Sequence, residues 1–540
     1  MRTLKRTLMK TAVLGALAAG CHDRDGALDL SLDTLPPVST GAAVFFVVPS
    51  SARAMVMNLA TAEAPVRSAD VGRDPVLVTA RVAPATGAAR DEALVLSRGA
   101  RGDLGVSPEP GSLTVLGAAG SARRYSLGSP FNALAQTADG RYAMTYFRPQ
   151  STAGRLLFNP NEVALVDLDA APSAGNPVLR TVRSFGGVPN DVAFSPSIEI
   201  NGVARRFAVV LSDAYVTLLD LDHPTRPEVT VRLTLPEDAR AIRPEQVVFD
   251  PEEATIYLRA AASNDIYVLR LNAVTPADAG ANDYRPTINQ LAAGRSPADI
   301  ALFGEPGARR LLVVSPGSRD ARVIDARANT ITTVPLDAPA SRILLFTAAA
   351  PGDPSPRLRA LLYAPDGYTQ ALSFLELTDI DARRAQNVET LNLGRAVQSA
   401  LPLLDRAVVM LGHANGGGGG QLSLLDLARR TAAPIFAEVT LSGAQFDSDR
   451  RSLWIAPRGS QRVGFIDLQT FRPGELRLDA PADDVIPLRG DTAGRNRVVA
   501  LHEGAGGWIS VIDANDPRRE TVRSHRAFLL TDLLDREGTP

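Results

Sequence analysis

Cysteine and lysine are nearly missing from this chain. Cys21 is the single cysteine in 540 residues, so no intrachain disulfide can form and stability has to come from buried side chains. Lys5 and Lys10 are the only lysines; every other basic residue is arginine, a bias that points to genome composition. Aromatic residues make up 5%, with Trp454 and Trp508 the only tryptophans, which is thin for a carbohydrate-stacking platform. Walker A, EF-hand, G-x-S-x-G and H-E-x-x-H motifs are absent. The run 416–420 is all glycine but lacks a following G-K-[ST], so it reads as a hairpin loop and not a phosphate cradle. No segment sustains a helical period, and no cofactor or metal site is expected.

What is present is ample apolar material. Hydrophobic residues at 45% and charged residues at 21% describe a folded chain, neither disordered nor built to sit inside a bilayer. The net charge of −2 hides an asymmetry: residues 1–20 carry Arg2, Lys5, Arg6 and Lys10 with no acid, so the remainder stands near −6. A mildly acidic body without a basic stripe makes nucleic acid a poor partner.

The N-terminus has a secretory layout. A basic stretch, Met1–Lys10, precedes an apolar stretch, Thr11–Gly20, whose ten residues are too few for the roughly 20 that span a bilayer. Cys21 follows at once. Leu17-Ala18-Ala19-Gly20-Cys21 resembles the lipobox of bacterial lipoproteins, departing from it at Ala18, where Leu is usual. The resemblance implies cleavage before Cys21, acylation of that residue, and attachment to a membrane through its lipid. His22 in place of Asp after the cysteine implies outer-membrane delivery, facing the periplasm or the surface. Ordinary cleavage after Ala16-Leu17-Ala18 is the competing reading. The expected organisation is a leader over 1–20, a lipidated cysteine and tether over 21–41, a folded body over 42–534 and a tail over 535–540.

The body repeats. In Gly187–Pro236, four candidate strands are separated by turn residues: Asp191–Ser195, Phe207–Leu211, Tyr215–Leu221 and Val229–Leu235. Ends of the third strand recur at Asn58, Gly117, Asp167, Asp220, Arg270, Asp325, Glu376, Asp426, Asp467 and Asp513, between 41 and 59 residues apart. Runs such as FAVVL (207–211) and LLVVS (311–315) are strands buried on both faces. A unit near 50 residues with such strands predicts an all-β fold, a β-propeller of four-stranded antiparallel blades. About ten units are counted and eight to ten blades expected. The first unit reads as beginning at a second-type strand, Ala43–Val48, and the leftover Arg526–Leu534 is expected to complete that blade and close the ring.

The run GVPNDVAFSP (187–196), with strands ending in LLDL or VIDA, resembles the YVTN-type repeat of bacterial β-propellers over most of residues 42–533. The YVTN tetrapeptide is missing, and SPDG is only approximated by Thr137–Gly140 and Ser195–Ser197. The resemblance implies the fold; the family is functionally mixed.

Two polar sets are candidates for chemistry. The third-strand aspartates (Asp167, Asp220, Asp325, Asp426, Asp467, Asp513) read as a cation-binding ring or as turn caps, and repetition in most units favours caps. His413 and His502 follow second strands in their units, and with Glu503 they are the one hint of a catalytic or metal group at a channel mouth; two polar residues in loops is the favoured alternative. The expected function is a lipid-anchored envelope module that binds a protein or small ligand on one propeller face. A propeller enzyme of lactonase, hydrolase or quinoprotein type is the alternative.

Overall fold

The computed structural model describes residues 32–530, apart from 62–63, 85–89, 101–106, 149–158, 183–187, 234–241, 275–281, 351–352, 366–368, 382–387, 404–407, 415–419, 438–443, 447–451, 458, 489–495 and 505. The leader, Cys21, His22, most of the expected tether, glycines 416–419, residues 531–534 of the expected closing strand and the expected tail, 535–540, lie outside the described residues.

Why these residues form blades is visible in their burial. The second strand of the first sheet, Ala43–Val48, is buried at all six positions. Its alternate side chains part company: Ala43, Phe45 and Val47 join a cluster with Val78, Ala93 and Val95 of the next sheet, while Val44, Phe46 and Val48 join Leu488, Val499 and Ile509 of the last. Side chains alternate across a strand, so a continuous apolar run fills two interfaces at once. Each such Val, Leu or Phe contributes about 1.5–3 kcal/mol on full burial.

Ten four-stranded antiparallel sheets follow one another along the chain and form a β-propeller ring. Blades 1 to 10 span 38–70, 75–128, 133–181, 189–232, 243–292, 299–335, 342–392, 397–437, 444–482 and 484–526. The third-strand positions read from the sequence close their strands in nine blades, with Arg270 lying inside Asp265–Ala273 in the other. In the unit that set the pattern, the strands are Pro189–Phe194, Phe207–Ser212, Tyr215–Asp220 and Val229–Arg232, with an inserted hairpin, Ile198–Ile200 and Val203–Arg205.

First strands touch across at least six of the ten seams and form the inner edge of the ring. We call the rim with the turns between first and second and between third and fourth strands the lower rim. The upper rim carries the loops between second and third strands and those linking blades. On the upper rim Gly294, at φ +98°, leads into blade 6, and an added Cβ would lie 2.8 Å from both Asp320 Oδ1 and Ser315 Cβ.

The expected closure is corrected. Blade 1 has its own first strand, Val38–Ser39, paired with Phe45 and Val44, and it lies within the stretch taken for a tether. Blade 10 is complete with Arg523–Arg526 as its fourth strand, and Phe528–Leu530 is a short 3-10 turn. No described residue of 527–530 pairs with blade 1; Phe528 and Leu529 pack into the seam between blades 1 and 10 instead. Leu35 N already donates to Val47 O at 2.9 Å, so the N-terminal segment fills the inner edge before the C-terminus reaches it. The ring closes face to face, with Ser39 Oγ donating to Pro487 O at 2.8 Å across the seam.

Candidate functional site

The repeated aspartates sit on the lower rim as turn caps. Asp220 Oδ1 accepts the N–H groups of Asp222 and His223 at 2.9 and 3.0 Å. Asp325 accepts those of Arg327 and Ala328, Asp426 those of Ala428 and Arg429, and Asp467 those of Gln469 and Thr470, all at 2.7–3.1 Å. Asp167 and Asp513 each take one, from Asp169 at 3.0 Å and Asn515 at 2.9 Å. A short carboxylate two residues back satisfies N–H groups that the turn leaves open. Asn58 makes the same bond to Ala60 N at 2.9 Å, so the geometry and not the charge is what repeats.

The histidines occupy equivalent places on the upper rim but do not meet. His413 is the last residue but one of the second strand of blade 8, Val408–Ala414, and His502 the last of that of blade 10, Arg497–His502, with blade 9 between them. His413 Nδ1 lies 3.1 Å from Ala396 O, the carbonyl leading into its own blade, and His502 Nδ1 lies 2.7 Å from Pro481 O. Ser315 does the same work in blade 6, donating to Ala293 O at 2.6 Å. His502 is also held by Ser510 Oγ at 2.8 Å and by the Trp508 ring, 4.8 Å between centroids. Both side chains are buried, and Glu503 beside His502 is exposed. Burial lowers the pKa of His413, with the Arg395 charge adding and the Ala396 carbonyl opposing. His223 is placed in a lower-rim turn, Nδ1 3.3 Å from Asp220 Oδ2, and His525 lies in the last strand of blade 10. Among the described residues no group of three or more His, Cys, Asp or Glu is placed to hold a metal ion.

Sequence reasoning missed the residues that tie blades together. At the axis, Asp299 accepts Gln246 Nε2 of blade 5 at 2.7 Å and Ile343 N of blade 7 at 2.8 Å, so one carboxylate joins three blades. Asp191 accepts Tyr146 Oη of blade 3 at 3.0 Å. Asp191, Asp299 and Asp484 each also accept the N–H of the next residue, at 2.8–3.0 Å. The signal was the acid or amide before the apolar part of the first strand, in PNDVAF, PEQVVF and PADIAL. At or near the lower rim arginines cross the seams: Arg81 to Asp169, Arg206 to Asp139, Arg205 to Asp283, Arg309 to Asp250, Arg310 to Asp381 and Arg430 to Glu389.

Between blades 5 and 6 this lacing leaves a cleft of about 40 Å³, lined by Asp250, Tyr257, Arg270, Arg309 and Asp325 among others. Asp250 is 1% exposed; Oδ1 accepts Arg309 Nη1 at 3.2 Å, and Oδ2 is buried with no protein partner. Burial pushes the Tyr257 hydroxyl up to about 12, with the Asp250 charge adding. Such a volume holds a water or two, which would satisfy Asp250 Oδ2, and is far below the ~300 Å³ of a ligand pocket.

Fold and site together define a ten-bladed β-propeller whose polar side chains are largely structural. No family model matches the chain, and no curated protein matches it. Solved structures to which it is similar include a dihydro-heme d1 dehydrogenase, NirN, in complex with DHE, at 14% identity over 74% of this chain and 76% of that one, TM-score 0.43. A eukaryotic initiation factor is similar at 13% identity over 76% and 88%, TM-score 0.40. Apo AztD from Citrobacter koseri is similar at 11% identity over 68% and 90%, TM-score 0.31. Likenesses this distant carry no argument about activity or partner.

Proposed function

We propose that the chain is an exported, lipid-anchored β-propeller that serves as a binding or scaffolding module of the cell envelope. One observation carries the reading: the polar groups singled out by the sequence are committed to the ring itself. The aspartates cap turns, His413 holds the entry to its own blade, and His502 holds the last strand of blade 9; the arginines, which the sequence did not mark, cross the seams. The result is a rigid scaffold with two broad loop faces, and recognition residues concentrate on loops held by such scaffolds. The lipobox-like segment ending in Cys21 supports the anchor, His22 supports outer-membrane delivery, and the likeness to YVTN-type repeats supports the propeller.

Mass spectrometry of the mature N-terminus tests the anchor. A diacylglyceryl Cys21 supports it, and an unmodified start at Ala19 refutes it. Affinity isolation of the full chain from detergent-solubilised envelopes, beside an unrelated lipoprotein as control, tests the binding module. A stoichiometric companion that the control does not recover supports the reading; recovery of the chain alone counts against it.

A further inference from the structure

We infer that the upper rim lies against the membrane surface and that the lower rim is turned away from it. The inference rests on the lipidation of Cys21 proposed above and adds which face the lipid holds down.

Both ends of the described chain meet on the upper rim, at the seam between blades 1 and 10. Leu32 packs against the seam cluster that also holds Phe528 and Leu529 and runs from Val44 to Val48 along the second strand of blade 1. Three residues on, Leu35 N donates to Val47 O, near the upper end of the second strand of blade 1. The C-terminal turn is fixed to the same rim, with Ala527 N and Leu529 N donating to Gly507 O and Gly506 O at 2.8 Å. Those glycines lie between the second and third strands of blade 10. The second- and third-strand residues around Leu32 also place the chain over the seam and off the axis.

Eleven residue steps separate Cys21 from Leu32. Fully extended they reach at most about 40 Å, at ~3.6 Å each. Laying the upper rim on the bilayer needs only a part of that reach. From above the second strand, laying the lower rim there requires the chain to pass the two outer strands of a blade, about 10 Å at ~4.8 Å spacing, and then descend its height, about 20 Å for six residues. That path, before rounding any loop, takes about three quarters of the length, well beyond the roughly 18 Å that a flexible chain of this length spans on average. The entropy of an extended chain opposes it, and the short linker therefore selects the upper rim.

The single cysteine makes the test clean. In the lipidated chain the Cys21 sulfur is a thioether, so an introduced thiol is the only one that reacts with a maleimide dye. Full-length chains with Ser51→Cys on the upper rim or Thr61→Cys on the lower rim of blade 1 are labelled and bound to phosphatidylethanolamine–phosphatidylglycerol vesicles carrying a headgroup acceptor dye. Both sites are exposed. Ser318→Cys and Ala328→Cys give the same pair on blade 6 and report tilt. With the faces about 20 Å apart, quenching at Ser51→Cys and Ser318→Cys should exceed that at Thr61→Cys and Ala328→Cys by about twofold or more. Equal or reversed quenching, with the unsubstituted chain unlabelled, overturns the orientation and leaves the anchor standing. Dye on the unsubstituted chain shows a free Cys21 and overturns both.

Discussion

The seam between blades 1 and 10 is the one interface of the ring that no linking segment crosses, and Phe528→Ala tests what holds it. The Phe528 ring is 5% exposed, 4.7 Å from the Phe46 ring between centroids, in a cluster that draws on both blades. Truncating a buried Phe to Ala costs about 3–5 kcal/mol through lost burial and the cavity left behind. At about 1.4 kcal/mol per factor of ten, local opening of the seam becomes roughly 100- to 4,000-fold more frequent. Hydrogen exchange read by mass spectrometry should show faster exchange in Ala43–Val48 and Trp508–Asp513, with blades 4 to 7 unchanged. Phe374→Ala removes an equally buried ring where a linking segment does join the blades, so its effect should stay in blades 7 and 8. If Phe528→Ala accelerates exchange evenly around the ring, or leaves blades 1 and 10 untouched, closure by this packing is wrong.

Arg205→Ala should lower the denaturation midpoint strongly. Its side chain is 4% exposed and bonds Asp220 at 2.9 Å and also Asp283, so its loss takes the nearest cation from a buried carboxylate that keeps only its turn N–H groups and more distant partners, at a cost of up to about 3–5 kcal/mol. Arg205→Met with Asp220→Leu should cost less than the single change, and a double mutant as unstable as the single one would contradict this. Because burial lowers the His413 pKa, the unfolded chain takes the proton first, and stability is lost as pH falls through about 6.5. His413→Gln should flatten the fall in thermal midpoint between pH 7 and 5; an unchanged slope refutes it. Asp484 has the opposite sign. Burial raises its pKa, with Asp483 adding and the Val485 N–H opposing, so the folded chain holds the proton better and stability is lost as pH rises above about 3.9. Asp484→Asn should raise the midpoint at pH 7 with the gain gone near pH 4; a gain that persists there is inconsistent with this account.

The blades were legible because each is written locally. A run such as FAVVLS followed by YVTLLD holds both central strands within 14 residues, and Asp220 marks the turn that ends them. The number of blades could be read for the same reason. Closure could not, because the first strand of blade 1 is only Val38–Ser39, behind Pro36 and Pro37, with no alternation to announce it. The inserted hairpin at 198–205 did carry a signal, Asn201-Gly202 at positive φ between Ile198–Ile200 and Val203–Arg205, which the reading of four strands per unit passed over. The site was harder still. Arg205 and Asp283 lie 78 residues apart, and Gln246 and Asp299 lie 53 apart, so these pairs appear only once one blade is laid against the next. His413 and His502 looked like a pair because they share a place in the repeat, and a shared place in a ring is what keeps two residues in different blades.

Face-to-face closure leaves the first and last repeats whole. A propeller sealed by a shared strand ties its two termini into one blade, so the first and last segments have to stay matched. Here blade 1 and blade 10 each carry four strands of their own. Duplication or loss of an internal unit would leave both chain ends, and the Phe46–Phe528 contact between them, unaltered in sequence. The ring would then have only to re-space its seams, which gives this lineage a simple route to circles of other sizes.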